Sequence, residues 1–151
     1  MTSPRHGARE AAVQVMYFWD VSRADLVEAL EAYFQEHQPD APPAVRAFAA
    51  ELVTGTVADV HVLDQLIAQH AQHWRPERLA LVDRQILRLA AWELRHHHDD
   101  TPPAVVLNEA LELARTFSGD ESVPFVNGVL DAIRRSLERG TPDRTPDVER
   151  S

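Results

Sequence analysis

The sequence predicts an all-α fold, a compact bundle of about six to seven helices. Three observations carry this. Apolar residues recur every three to four positions through nearly every long stretch, the spacing that gives one face of a helix to a core. No stretch alternates with period two, so no sheet is expected. Proline-rich breaks, QPDAPP at 38–43 and DDTPP at 99–103, cut the chain into helix-length pieces. Six or seven helices of ordinary length suit a single domain of 151 residues.

Residues 1–7 read as a short mobile arm that bears arginine. Helical spacing then runs through Ala8, Ala12, Val15, Met16 and Trp19, and Asp20-Val-Ser breaks it. A second helix is expected near Ala24, with Leu26, Leu30, Tyr33, Phe34 and His37 on its apolar face. Pro42 and Pro43 suit the first turn of a third helix. From Val45 to about Gln72 the pattern stays helical, with a possible bend at Gly55. His73-Trp-Arg-Pro-Glu ends it. Another helix within Leu79 to His97 carries Val82, Ile86, Leu89, Ala90 and Glu93. The next runs from Pro103 to Phe117, with Val106, Ala110, Leu113, Ala114 and Phe117 inward and Gly119 as its C-terminal cap.

Ser122 is expected to cap the last helix, whose core stripe is Val126, Val129, Leu130, Ile133 and Leu137. Inside it stand Asn127 and Gly128. Glycine weakens a helix by about 1 kcal/mol relative to alanine, so Gly128 suggests close approach of a neighbouring backbone or a ligand. A helix crossing is the expectation, with Val13 or Val105 among the possible neighbours, and Gly128→Leu should then cost stability first. The helical domain thus spans 8–139. The polar tail 140–151 has three acidic residues, two prolines and no apolar cluster, and is expected to be disordered.

Composition narrows the function. There is no cysteine, which excludes disulfides and thiolate chemistry, and no apolar run reaches a membrane span. A cytoplasmic protein is expected. The net charge of -9 excludes a general nucleic-acid coat, so any nucleic-acid contact must be local. All fifteen basic residues are arginine, suited to phosphates but equally the mark of a GC-rich genome.

Catalytic patterns are missing. There is no glycine-rich phosphate loop, no nucleophile elbow and no HExxH. His96, His97 and His98 are consecutive and point apart on a helix, which makes a poor metal site. His70 and His73 are spaced i,i+3 without an acidic partner, and Glu109 and Glu112 form no ExxH unit. No catalytic residue, metal or cofactor is expected, and a binding module fits better. Arg5, His6 and Arg9 cluster where the helix dipole disfavours cations, a hint that they serve a ligand, although a solvated end has the same composition.

Four motifs then identify a family resemblance. AREAAVQVMYFWDVS at 8–22, VDRQILRLAAWEL at 82–94, TPPAVVLNEALELARTF at 101–117 and FVNGVLDAI at 125–133 resemble the NusB transcription antitermination family. The likeness covers residues 5 to about 138, with 23–75 matching in pattern more than in residues. It implies an all-helical protein of two packed helical subdomains. It also implies binding to the boxA element of nascent ribosomal RNA leaders, together with ribosomal protein S10 (NusE), alongside other Nus factors on RNA polymerase and without catalysis.

By the same resemblance Arg5, His6 and Arg9 contact RNA, as do Asp120, Glu121, Phe125 and Asn127 beside them. Phe125 is suited to stacking on an unpaired base and Asn127 to a base edge or phosphate. Tyr17, Asp83 and Arg88 are expected at or near the S10 surface. Family members often carry a longer basic arm, so weak RNA binding and greater dependence on S10 are expected here. Neutralising Asp120 or Glu121 should tighten RNA binding at low salt. A homodimer that occludes the RNA-facing end is a further possibility. The alternative is the NusB-like RNA-binding domain of an rRNA cytosine methyltransferase, which needs a long catalytic domain not expected after the tail that ends at Ser151.

Overall fold

The fold is organised around a helix that has almost no solvent face. In the computed structural model, which describes residues 4–71, 79–96 and 100–139, the helix Leu81–His96 (α5) buries every residue from Gln85 to Leu94, and Asp83 as well. Four of those residues are polar or charged: Gln85, Arg88, Glu93 and Asp83. A helix buried all round must find partners for such groups inside the protein.

Six further helices surround α5 or brace those that do: α1 (Pro4–Ser22), α2 (Leu26–His37), α3 (Pro43–Ala58), α4 (Val60–Ala71), α6 (Pro103–Phe117) and α7 (Val123–Glu138). No strand occurs among the described residues. α1 packs on α2 and α3 to form an N-terminal trio, and α6 and α7 pack on each other. α5 touches α1, α3, α4, α6 and α7, so it joins the two halves. One continuous core runs through both, from Ala8, Ala12 and Met16 to Val129, Leu130 and Ile133.

Local signals set most boundaries. Asp25 caps α2 by accepting the Glu28 N–H at 3.0 Å. Pro43 and Pro103 open α3 and α6, where the absent N–H costs nothing. Gly119 follows α6 with φ +136°, a conformation that favours glycine, and its N–H donates to Ala114 O at 2.8 Å.

Several expectations are corrected. α1 begins at Pro4, so Arg5, His6 and Gly7 lie in its first turns rather than in a free arm. The helix expected from Val45 to Gln72 is two helices that break at Asp59, whose N–H bonds back to Gly55 and Thr56 carbonyls. Ser122 does not cap α7 with its side chain; a 3-10 turn over Asp120–Ser122 leads in instead. Gly128 faces solvent, and a Cβ built there meets nothing within 4 Å, so no helix crosses it. The close approach is at Gly55, where a Cβ would stand 2.2 Å from the Trp92 ring. The residues 1–3 of the expected arm, His73, His97, His98 and the tail 140–151 lie outside the described residues.

Candidate RNA and protein interface

Two charge networks, one toward each end of α5, position the candidate residues. At the C-terminal end Arg9 of α1 grips Glu93 with both arms of its fork, Nε to Oε2 and Nη2 to Oε1, each at 2.8 Å. The pair is sealed, with side chains 3% and 2% exposed. Burial works against the Arg9 charge, but the bonds to Glu93 and the nearby Glu109 outweigh it and raise the guanidinium pKa. His6 Nδ1 donates to Glu109 Oε1 at 2.8 Å, and its Nε2 lies 3.4 Å from Glu10. The mismatch between basic residues and the start of α1 is thus met by acids from α5 and α6.

Arg9 is therefore not available to a phosphate, contrary to the role expected for it. Arg5 is. It is exposed, it lies 4.2 Å over the Phe48 ring, and its Nη1 donates to Thr101 Oγ1 at 3.2 Å.

At the N-terminal end of α5 the guanidinium belongs to α5 itself. Arg88 bonds Asp64 of α4 through two contacts of 2.8 Å and Asp20 of α1 at 3.1 Å. Gln85 adds a 2.8 Å bond to Asp20, and Arg84 lies 3.4 Å from it. Burial would raise the Asp20 pKa, but Gln85, Arg88 and Arg84 together hold it below the ordinary carboxylate range. Asp83 accepts from Ser122 Oγ at 3.1 Å, which is the bond Ser122 makes in place of capping α7. The other Asp83 oxygen is buried without a partner.

Asp83 and Arg88, expected at a protein-contact surface, are thus interior. Tyr17 is at the surface. It is 42% exposed and lines a cleft of about 500 Å³ with Val13, Gln14, Leu81, Val82 and Phe117. Phe18, next in the chain, is 55% exposed and borders a second groove between α1 and α2.

The residues expected to contact RNA form two groups rather than one. Arg5 and His6 lie near Thr101 and Glu109, where α5 ends. Asp120 and Glu121 lead into Ser122, which is bonded to Asp83, where α5 begins. Asp83 and Glu93 stand ten positions apart on α5, about 15 Å along the axis. Asp120, Glu121 and Asn127 are exposed, and Phe125 is half-buried against the core.

Sequence spacing missed Phe48, Thr101 and Phe117 as site residues, and missed Asp20 and Asp64 as partners. One signal was present: Glu93 falls on an apolar stripe, and a carboxylate there requires a buried cation.

The arrangement offers no cluster of His, Asp or Glu fit to hold a metal among the described residues. It offers an exposed arginine at one end and an aromatic-lined cleft at the other. The NusB family profile matches residues 6–135. The transcription antitermination protein NusB of Solibacter usitatus is 46% identical over 133 residues, 88% of this chain and 90% of that protein. T. maritima NusB superposes with a TM-score of 0.78 at 31% identity over 89% of this chain and 93% of that one. A structure of the antitermination factors NusB and NusE in complex with dsRNA matches at a TM-score of 0.80 and 29% identity, covering 90% of this chain and 99% of that one. With four motifs in order, a shared fold and matches along almost its whole length, this chain belongs to the NusB family.

Proposed function

We propose that this chain is an RNA-binding transcription antitermination factor. It engages the boxA element of ribosomal RNA leaders as a complex with ribosomal protein S10 (NusE), alongside other Nus factors on RNA polymerase, and it works by binding rather than catalysis. The observation that carries the reading is its likeness, over nine-tenths of the chain, to a NusB solved with NusE and RNA.

Arg5, Asp120, Glu121, Phe125 and Asn127 face the RNA on this reading, with His6 half-buried behind Arg5. Tyr17 and its cleft receive S10. Arg9, Asp83 and Arg88 act from inside, by holding the helices that carry these surfaces. With Arg9 buried, the cationic end is thinner than the sequence suggests. RNA affinity in the absence of S10 is then low, with a shallow salt dependence of about -0.7 per phosphate neutralised. Glu121 opposes the phosphate backbone, so Glu121→Gln tightens binding at low salt.

The test is co-purification with S10, followed by titration of a boxA RNA with and without it. Tyr17→Ala is expected to weaken S10 binding about tenfold without changing the melting temperature, in line with an aromatic interface anchor. Failure of the wild-type chain to bind S10 would remove the reading. Light scattering across concentrations separates a monomer from a homodimer.

A further inference from the structure

We infer that Phe48 and Thr101 are positioning residues for RNA binding, which hold the Arg5 guanidinium in one outward-facing pose. The inference rests on the RNA-binding reading above and concerns residues outside its contact set. Arg5 is seated from two directions. Its guanidinium carbon lies 4.2 Å over the Phe48 ring of α3, and its Nη1 bonds Thr101 Oγ1 at 3.2 Å, just before α6. Both seats are buried. Phe48 is 7% exposed and Thr101 5% exposed. The buried Arg9 also lies over the Phe48 ring, at 5.4 Å, and is itself clamped by Glu93. The Phe48 ring therefore meets two arginines, one fixed in the interior and one on an exposed residue.

An exposed arginine ordinarily samples many rotamers, and ordering it on binding lowers affinity. Here the ring contact and the Thr101 bond restrict that sampling before the ligand arrives. Thr101 occupies one of the five N–H donors, which leaves a fork to receive a phosphate of single-stranded RNA. The bland alternative is that Arg5 merely lids the Phe48 edge of the core. The two readings differ in what a Phe48 or Thr101 substitution does once Arg5 is gone.

The experiment uses the full chain bound to S10, with a fluorescent single-stranded boxA RNA followed by anisotropy over a range of salt. Arg5→Ala is expected to weaken binding about tenfold and to lower the salt slope by about 0.7, the loss of one phosphate contact. Phe48→Leu and Thr101→Val are each expected to weaken binding about two- to fivefold with the salt slope unchanged, because the charge remains but is no longer held. Phe48→Tyr retains the ring and the affinity. In an Arg5→Ala background neither Phe48→Leu nor Thr101→Val has a further effect. Thr101→Val leaves the core ring in place, so its result stands even where Phe48→Leu lowers the melting temperature. Equal losses in both backgrounds, or no loss from either substitution, overturn the positioning role. An unchanged affinity for Arg5→Ala instead overturns the assignment of this end to RNA, and the inference with it.

Discussion

Arg9 and Arg88 are both buried guanidiniums with two-pronged carboxylate partners, toward opposite ends of one helix, yet they are built differently. Arg9 reaches in from α1 to a single carboxylate on α5 and is closed from water, with Glu93 2% exposed. Arg88 reaches out from α5 to two carboxylates on separate helices, and Asp64 is 29% exposed. The first network has one main pairing, backed only by Glu109 at 3.5 Å. In the second, Asp20 is also held by Gln85 and Arg84. The contrast teaches that a buried charge network is more fragile the fewer alternative partners its members have. It also separates the surfaces: the sealed end backs Arg5, and the redundant end lies behind Tyr17.

The largest expected effect tests the sealed end. Glu93→Gln keeps the shape but leaves Arg9 with only Glu109, at 3.5 Å. It should destabilise by about 3–5 kcal/mol, read as a shift in denaturant midpoint at constant slope. A cost below about 1 kcal/mol would mean water already serves that end, and the contrast would vanish.

Arg88→Met should cost less, about 2–3 kcal/mol, because Asp20 keeps Arg84 and Gln85 and Asp64 turns to solvent. A loss as large as that of Glu93→Gln would break the argument from redundancy.

Acid sensitivity sharpens it further. The Asp20 pKa is lowered on folding, so its contribution is present above the unfolded carboxylate range and is lost as pH falls through the lower folded value. Asp20→Asn should therefore be less stable than wild type at neutral pH and flatten the decline below about pH 4. Parallel curves for the two proteins would remove Asp20 from the acid limb.

The smallest effect lies away from both networks. Gly128→Ala should raise stability by about 0.5–1 kcal/mol, since the site is open and helical. A destabilised variant would mean that α7 is constrained by something beyond its buried stripe.

The comparison also explains what spacing could and could not reveal. The buried stripes of α6 and α7 were readable because they depend on neighbours three and four residues away: Val106, Ala110, Leu113 and Ala114, then Val126, Val129, Leu130 and Ile133. The break at Asp59 was not, because apolar spacing reports which residues are buried and continues across a change of axis. Ser122 had the chemistry of a cap but found a stronger claim in Asp83, 39 residues away. Arg9 looked like a surface cation because its partner stands 84 residues on. The close approach expected at Gly128 is made by Gly55 instead, for the same reason, since the Trp92 ring it meets is distant in the sequence. The family motifs named residues at both ends of α5, but local spacing could not separate exposed ones such as Arg5 and Tyr17 from interior ones such as Arg9, Asp83 and Arg88.

The near-total burial of α5 has a consequence for how the molecule comes apart. Its cover is supplied by α1 and α3 on one side and by α4, α6 and α7 on the other. Withdrawing α1 takes Arg9 from Glu93 and Asp20 from Arg88, withdrawing α4 takes Asp64 from Arg88, and either strips apolar surface from what remains. Partial unfolding is therefore penalised from both directions, and the chain gains and loses its order as one cooperative unit. The cleft at Tyr17 and the seat of Arg5 share that fate.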